Sequence, residues 1–200
     1  MSQTLTHEST TRARRALATR LEILRGAAAA FRERGFHATR LEDVAAALGR
    51  TKGSLYYYFR SKEEILYFCQ DHVLDGLLAA GRAAERNGRD PGAALERLLA
   101  THVEQLLGEA GGGPAHFEVE ALPPVRRAAI VAKRDRYEAI VHRLIARGQR
   151  ARAFGAGDPA LLARVALGAV NATARWYRPG GPLTPAEIGR EVARRVVHGL

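Results

Sequence analysis

Eight consecutive residues, Thr51-Lys52-Gly53-Ser54-Leu55-Tyr56-Tyr57-Tyr58, gather one ammonium, five hydroxyls and a glycine into a short stretch. This set suits recognition better than bond-making. Ammonium and hydroxyl groups donate hydrogen bonds to phosphate oxygens and base edges, and tyrosine rings pack on thymine methyls or sugars. On a helix that begins near Lys52, Leu55 and Phe59 share the inner face. Thr51, Lys52, Ser54, Tyr57 and Tyr58 then point outward, with Tyr56 at the boundary. Successive helical residues step about 100° around the axis, so three consecutive tyrosines cannot all enter one core. Gly53 lets a partner backbone approach closely. Arg40 and Lys62 open the neighbouring helices, where unpaired N–H groups already favour an anion, and read as phosphate clamps. Arg12, Arg14 and Arg15 read first as a solvated face and second as an arm for a minor groove.

Bond-making chemistry finds little support. No Gly-x-Ser-x-Gly occurs, and the chain has only four serines (Ser2, Ser9, Ser54, Ser61). Gly155-Ala-Gly follows no strand and is not a dinucleotide fingerprint. The seven histidines include no i, i+4 pair, and one cysteine cannot build a cysteine-rich zinc site. No catalytic residue, metal or cofactor is expected.

The charge distribution agrees with an anionic partner. Residues 1–62 carry a net +7 and residues 63–200 a net +3, within a total of +10. An electropositive module is thus joined to a nearly balanced one. With 46% hydrophobic residues over 200 positions, the chain can bury a sizeable core. Cys69 stands alone, which excludes an intramolecular disulfide and fits a reducing cytoplasm. The longest stretch free of Asp, Glu, Lys and Arg, Val165–Ala174, has ten residues and is too short to cross a bilayer. No apolar segment follows the first charges, as a signal peptide would require. A cytoplasmic protein without membrane partners is expected.

The elements that must position these residues are helical throughout. Leu17, Leu21, Leu24, Ala28 and Phe31 form a 4-3-4-3 stripe closed by Gly35. Thr39-Arg40-Leu41-Glu42 reads as a capping box for a short helix carrying Leu41, Val44, Ala45 and Leu48, and Gly49 ends it. The tyrosine helix follows, and Ser61-Lys62-Glu63-Glu64 opens a long fourth helix. Two short helices hinged by a glycine turn make a helix-turn-helix. Asn87-Gly88-Arg89-Asp90-Pro91, the glycine run 108–113, Pro123-Pro124, Gly155–Pro159 and Pro179–Pro182 punctuate the rest. An all-α fold of about nine helices is expected: a disordered arm at 1–11, a three-helix unit at 12–62, and a helical second domain at 63–200. Within that domain the fifth helix should run from Pro91, a long helix from Pro124 to about Phe154, and the last two over Pro159–Arg178 and Pro185–Gly199.

Residues 12–66 resemble the DNA-binding domain of TetR-type transcriptional regulators. The family pattern is met by Gly35-Phe36, Thr39, Asp43-Val44-Ala45, Gly49, Lys52-Gly53-Ser54-Leu55-Tyr56, Phe59 and Lys62-Glu63, in register over roughly 55 residues. Arg50 departs from it, since such proteins usually place an apolar residue in that turn. The resemblance implies a double-stranded DNA operator as partner, a second domain with a small-molecule pocket, and a homodimer. The dimer also has support in the residues: Leu162, Val165 and Ala169 on one helix and Ile188, Val192 and Val196 on the last form apolar faces suited to a four-helix interface. Two recognition helices on successive major grooves would read a palindrome.

The stretch Arg175-Trp-Tyr-Arg-Pro-Gly-Gly-Pro-Leu-Thr-Pro-Ala-Glu-Ile resembles a TetR subgroup that controls fatty-acid, aromatic-acid or steroid breakdown, which implies an acyl-coenzyme A thioester as effector. An apolar slot with nearby cations would hold such a molecule. Phe68, Cys69, Leu106, Phe117, Tyr137 and Val141 are candidates for the slot, His72 and His102 for polar groups within it, and Arg126, Arg127, Arg134 or Arg175 for its phosphates. The rival reading is an architectural DNA binder without an effector, held through phosphates with little base preference.

Overall fold

The computed structural model describes residues 2–87, 90–109, 111 and 113–199, with the side chains of 2–15, 87 and 114 outside that set. Eight α-helices and two 3-10 turns follow in order: α1 (Ser2–Arg34), α2 (Leu41–Ala47), α3 (Lys52–Tyr58), α4 (Lys62–Asn87), α5 (Pro91–Leu107), η1 (Gly113–Phe117), η2 (Val119–Ala121), α6 (Pro124–Arg150), α7 (Pro159–Trp176) and α8 (Pro185–His198). The expected ninth helix is therefore the pair of 3-10 turns around Phe117 and Val119. Helix α1 reaches back to Ser2, so positions 2–11 continue it, where an irregular arm was expected. Extending an existing helix adds one hydrogen bond per residue fixed and needs no new nucleus.

The caps explain most of the boundaries. Asp90 accepts the Ala93 N–H at 3.1 Å and Asp158 accepts the Ala160 N–H at 2.9 Å, each followed by a proline in the first turn. Thr184 and Glu187 close a reciprocal capping box on α8. Helix α6 stops at Arg150, ahead of the Phe154 expected from periodicity. The chain doubles back through Arg152, at φ +58°, and Phe154 covers Gly148, where a Cβ would lie 2.3 Å from its ring.

The cap of α2 differs from the expected Thr39–Glu42 box. Thr39 is fully buried, and its hydroxyl donates to the Gly35 carbonyl at 2.8 Å and to that of Ala30 at 3.3 Å. It locks the α1–α2 turn instead of capping a helix. The N-cap is Arg40, whose backbone N–H donates to the Asp43 carboxylate at 2.8 Å. A threonine can cap only while its hydroxyl remains outside the core. Here it is drawn inward to carbonyls at the end of α1 and in the following turn.

Two apolar clusters hold the chain together. One joins Ile23, Leu24 and Phe31 of α1 to Val44 of α2, Leu55 and Phe59 around α3, and Ile65, Leu66, Cys69 and Leu74 of α4, with Ala115, Leu122 and Ile130 closing it from η1, the loop and α6. The other surrounds α5, whose Leu95, Leu98, Leu99, Val103 and Leu106 pack among α4, α6, α7 and α8. Helix α4 runs through both, so the boundary expected near residue 62 crosses no gap in packing. Lys133 pins α6 to α4 between Asp71 at 2.5 Å and Asp75 at 2.6 Å. Gly189 lets α8 approach α5, because a Cβ there would stand 2.7 Å from the Ala100 carbonyl oxygen. No helix among the described residues is long and apolar enough to cross a membrane.

Candidate nucleic-acid interface and ligand cavity

Helix α3 is held by its inner face and its cap. Leu55 and Phe59 are buried in the first cluster, and the Thr51 hydroxyl accepts the Ser54 N–H at 3.2 Å. Everything else on it faces outward to a degree set by the 100° step. Tyr57 is 78% exposed and Tyr56 43%. Tyr58 lies half-buried on the first cluster, its ring edge-on to Tyr57 at 5.0 Å. The boundary position is thus Tyr58 and not Tyr56, since residue 58 lies three places from Leu55 and shares part of its face. Lys52 is exposed beside Glu42 of α2 at 2.5 Å, with its ammonium 5.6 Å over the Tyr56 ring. The hydrogen bond to Glu42 raises the lysine above its ordinary value, and its counterpart lowers the carboxylate. A Cβ at Gly53 would meet nothing, so the fold itself does not demand glycine there.

Arg40 is exposed at the start of α2. Arg50, in the turn where relatives of this motif are apolar, reaches back to Glu22 of α1 at 2.8 Å and ties the turn down by charge. Lys62 has a different occupation from the phosphate clamp expected of it. Its ammonium donates to the carbonyls of Phe36 at 3.0 Å, His37 at 2.9 Å and Thr39 at 3.1 Å, and lies 4.7 Å over the Phe36 ring. Three N–H groups meet three carbonyls, so none remains for a phosphate. The side chains of Arg12, Arg14 and Arg15 fall outside the described residues.

The second domain contains a cavity of about 310 Å³ bordered by α4, α5, α6, α7 and η1. Four of the twelve expected effector residues border it: His102, Phe117, Arg134 and Tyr137. The others lie elsewhere. Leu106 and Val141 are fully buried in the second cluster. Phe68 packs edge-on to Phe59 at 5.8 Å, and Cys69 belongs to the first cluster, where burial pushes its thiol up to about 12 and keeps it protonated. His72 is exposed, and Arg175 lies beside a separate cleft between α1 and the end of α7. Helical periodicity identifies a buried face but cannot tell which part of that face borders a void.

The cavity also takes His116, Glu138, Arg164 and Asn171, none of them anticipated. Asn171 carried a usable signal, because it is an amide inside the uncharged run Val165–Ala174. Two polar atoms here lack partners, Nδ1 of His116 and the Tyr137 hydroxyl, and the His102 ring has only the Asn171 amide beside it; all three residues are deeply buried. Burial depresses His102 to about 4 and His116, next to Arg134, to about 3, so both rings are neutral at neutral pH. The Arg134 guanidinium donates to the His116 carbonyl at 2.6 Å and to Gln70 at 3.4 Å, and burial lowers its value too. Gln70 in turn donates to the Ala115 carbonyl at 3.3 Å. The segment η1 is thereby tied to the cavity wall, while its other side packs on α1.

Of the six residues expected at a dimer interface, Ile188 is buried against its own core, and Leu162, Val192 and Val196 are partly buried on it. Ala169 is also half-buried, and Val165 is exposed. The outer face of α7 instead carries exposed Leu161, Val165, Gly168 and Ala172 at 4-3-4 spacing.

Two outcomes follow from this geometry. Lys62→Met should cost about 1.5–3 kcal/mol in urea unfolding, because it removes charge-assisted hydrogen bonds. The same variant should leave the salt slope of DNA binding unchanged, whereas a lost phosphate contact would reduce it by about 1. The histidines set a pH dependence. Their values fall from 6.5 to about 4 and about 3 on folding, so their contribution is full above pH 6.5 and is lost as pH falls. His102→Phe should therefore show a shallower decline of the urea midpoint between pH 6.5 and 4 than the parent; equal slopes would contradict the burial of a neutral ring.

Comparison with known proteins agrees with this architecture. The family described as bacterial regulatory proteins, tetR family, matches residues 23–67, and the tetracyclin repressor-like C-terminal domain matches residues 88–200. The HTH-type transcriptional repressor KstR2 of Mycobacterium tuberculosis H37Rv is 30% identical over 190 residues, covering 90% of this chain and 91% of that protein. KstR2 of Rhodococcus jostii is 30% identical over 184 residues, with 90% of each covered. Among solved structures, the TetR family transcriptional regulator PfmR from Thermus thermophilus superposes with a TM-score of 0.78 at 36% identity, covering 89% of this chain and 98% of that one. The M. tuberculosis KstR2 structure gives 0.78 at 30% identity, covering 90% and 94%. With an outward-facing α3 on a helix-turn-helix and both halves matched, the chain belongs to the TetR family of transcriptional regulators.

Proposed function

We propose that this chain is a ligand-responsive repressor that binds a palindromic operator as a homodimer and releases it when a small molecule fills the cavity of the second domain. The observation that carries the reading is the outer face of α3. Tyr57 spends most of its surface in water, beside Lys52 and a glycine with open space where a side chain would be. A folded monomer gains only exposed contacts from that arrangement, whereas a major groove accepts an α-helix and offers phosphates and thymine methyls to those groups. Thr51, Ser54 and Tyr56 complete the reading surface. With Lys62 committed elsewhere, Arg40 and Lys52 supply its phosphate contacts.

The exposed Leu161, Val165 and Ala172 of α7, with Gly168 allowing close approach, suit a second copy of the same helix. The effector enters between α4 and α7. Its link to DNA runs through η1, which contributes His116 and Phe117 to the cavity and packs on α1. A ligand that displaces η1 alters the spacing of the two reading heads so that they no longer fit the operator. The expected effector, an acyl-coenzyme A thioester, would place its acyl end in the cavity and leave the coenzyme outside. A protein of the same fold, AibR, has been crystallised with isovaleryl coenzyme A and operator DNA.

Fluorescence anisotropy with a palindrome from the gene's own promoter and a scrambled duplex tests the reading. The palindrome should bind far more tightly, and an effector should weaken it roughly 5–150-fold. Equal affinity for both duplexes would favour an architectural binder. Lys52→Ala and Tyr57→Ala should each reduce operator affinity roughly 5–150-fold. Both should leave the unfolding free energy within about 0.5 kcal/mol, because both side chains are exposed and make only surface contacts.

A further inference from the structure

We propose that the cavity between α4 and α7 is a carboxylate receptor, with Arg134, Tyr137 and the two buried histidines gripping the acid group; this rests on the cavity being the effector site. The Tyr137 hydroxyl and His116 Nδ1 have no partner in the protein, the His102 ring has only the Asn171 amide beside it, and all three residues are at least nine-tenths buried. Polar atoms so placed are rarely left unpaired unless something else pairs them. Arg134 adds a half-buried guanidinium on the same wall. Its hydrogen bonds go to a carbonyl and an amide, and it meets no carboxylate among the described residues.

The charge inventory narrows the ligand. Glu138 and Arg164 neutralise each other at 3.2 Å, which leaves Arg134 as the uncompensated charge of the lining. One negative charge on the ligand balances it. A dianionic phosphate would bring a second charge up to Glu138, and an ammonium would face two arginines. A carboxylate is acceptor-only with about four lone-pair sites, and it matches a guanidinium, a phenol and imidazole N–H groups. A neutral carbonyl offers half as many sites and no charge. Leu74, Leu77, Phe117 and Leu167 supply apolar walls for a hydrocarbon body. Arg134 also holds η1 through the His116 carbonyl, so an incoming carboxylate competes with η1 for one guanidinium and loosens the segment that packs on α1.

The acid group has two sources: a free carboxylic acid, or an acyl thioester whose far end is a carboxylate. Calorimetric titration of the full-length protein distinguishes them with hexanoate and phenylacetate against their primary amides, and adipoyl-coenzyme A against hexanoyl-coenzyme A. Each ligand with a free carboxylate should bind at least about tenfold more tightly than its neutral counterpart, the gain expected for a charge-assisted hydrogen bond. Preference for hexanoate and phenylacetate identifies the free acid as the source, and preference for adipoyl-coenzyme A identifies the thioester.

Tyr137→Phe is the decisive variant, because it removes only an unpaired hydroxyl. It should raise the melting temperature of the free protein and weaken carboxylate binding about tenfold, leaving the amides unaffected. Arg134→Met should abolish the preference and Arg134→Lys restore part of it. Neutral ligands binding as tightly as acids, with Tyr137→Phe unchanged, would overturn the carboxylate assignment while the cavity remained the effector site. Binding that also survives Leu167→Trp, which fills the cavity, would lie elsewhere and overturn both readings. The same holds if no probe binds.

Discussion

A helix of seven residues makes too few internal hydrogen bonds to persist in water. Helix α3 exists because Leu55 and Phe59 enter a core built by α1, α2 and α4, and because Thr51 supplies its cap. Two inward residues and one hydroxyl do most of the folding, which leaves Lys52, Gly53, Tyr56 and Tyr57 outside the core with only exposed contacts to one another, to Tyr58 and to Glu42. That division of labour lets a short surface element be specialised for a partner without weakening the fold. Behind α3, Lys62 at the start of α4 gathers the carbonyls of Phe36, His37 and Thr39 at the turn between α1 and α2. A single half-buried charge, satisfied by three acceptors, holds the start of α4 to the turn that leads into α2.

The two halves of the molecule are joined more closely than a linker would allow. Helix α4 contributes to both apolar clusters, and Arg32 of α1 donates to the Gly108 carbonyl at the end of α5 at 3.1 Å. Between them sits η1, preceded by a glycine-rich turn and held by Gln70 and Arg134. A segment fastened by a few hydrogen bonds shifts at lower cost than a packed helix does. It stands where a change in the cavity meets the helix that carries the reading head. Coupling of ~1–3 kcal/mol is the usual scale for such links, and exchange of one or two charge-assisted hydrogen bonds reaches it.

Much of this was legible in the residues alone. The all-helical fold and most helix boundaries followed from apolar spacing, from Pro91, Pro159 and Pro185, and from Gly35 and Gly49, because these are local rules; the ninth helix, the start of α1 and the end of α6 did not. The outward face of α3 followed from Leu55 and Phe59 by rotation, except that Tyr56 and Tyr58 exchange places at its boundary. What escaped depended on partners distant in the chain. Thr39 looks like a cap until the Ala30 carbonyl is beside it, and Lys62 looks like a phosphate clamp until three carbonyls surround it. Ile188 looks like interface until α5 covers it. His116 gave no periodic signal because it lies in a 3-10 turn. The cavity was only partly legible, since a void results from how four helices and a turn fail to meet.

On the proposed reading, α3 lies in a major groove twice per assembly. Dimethyl sulfate protection of guanine N7 on the bound operator reads that groove directly. Protected guanines are expected in two clusters, about 10 base pairs apart from centre to centre, on one face of the duplex. Protection confined to adenine N3 in the minor groove, or spread evenly along the site, would contradict it.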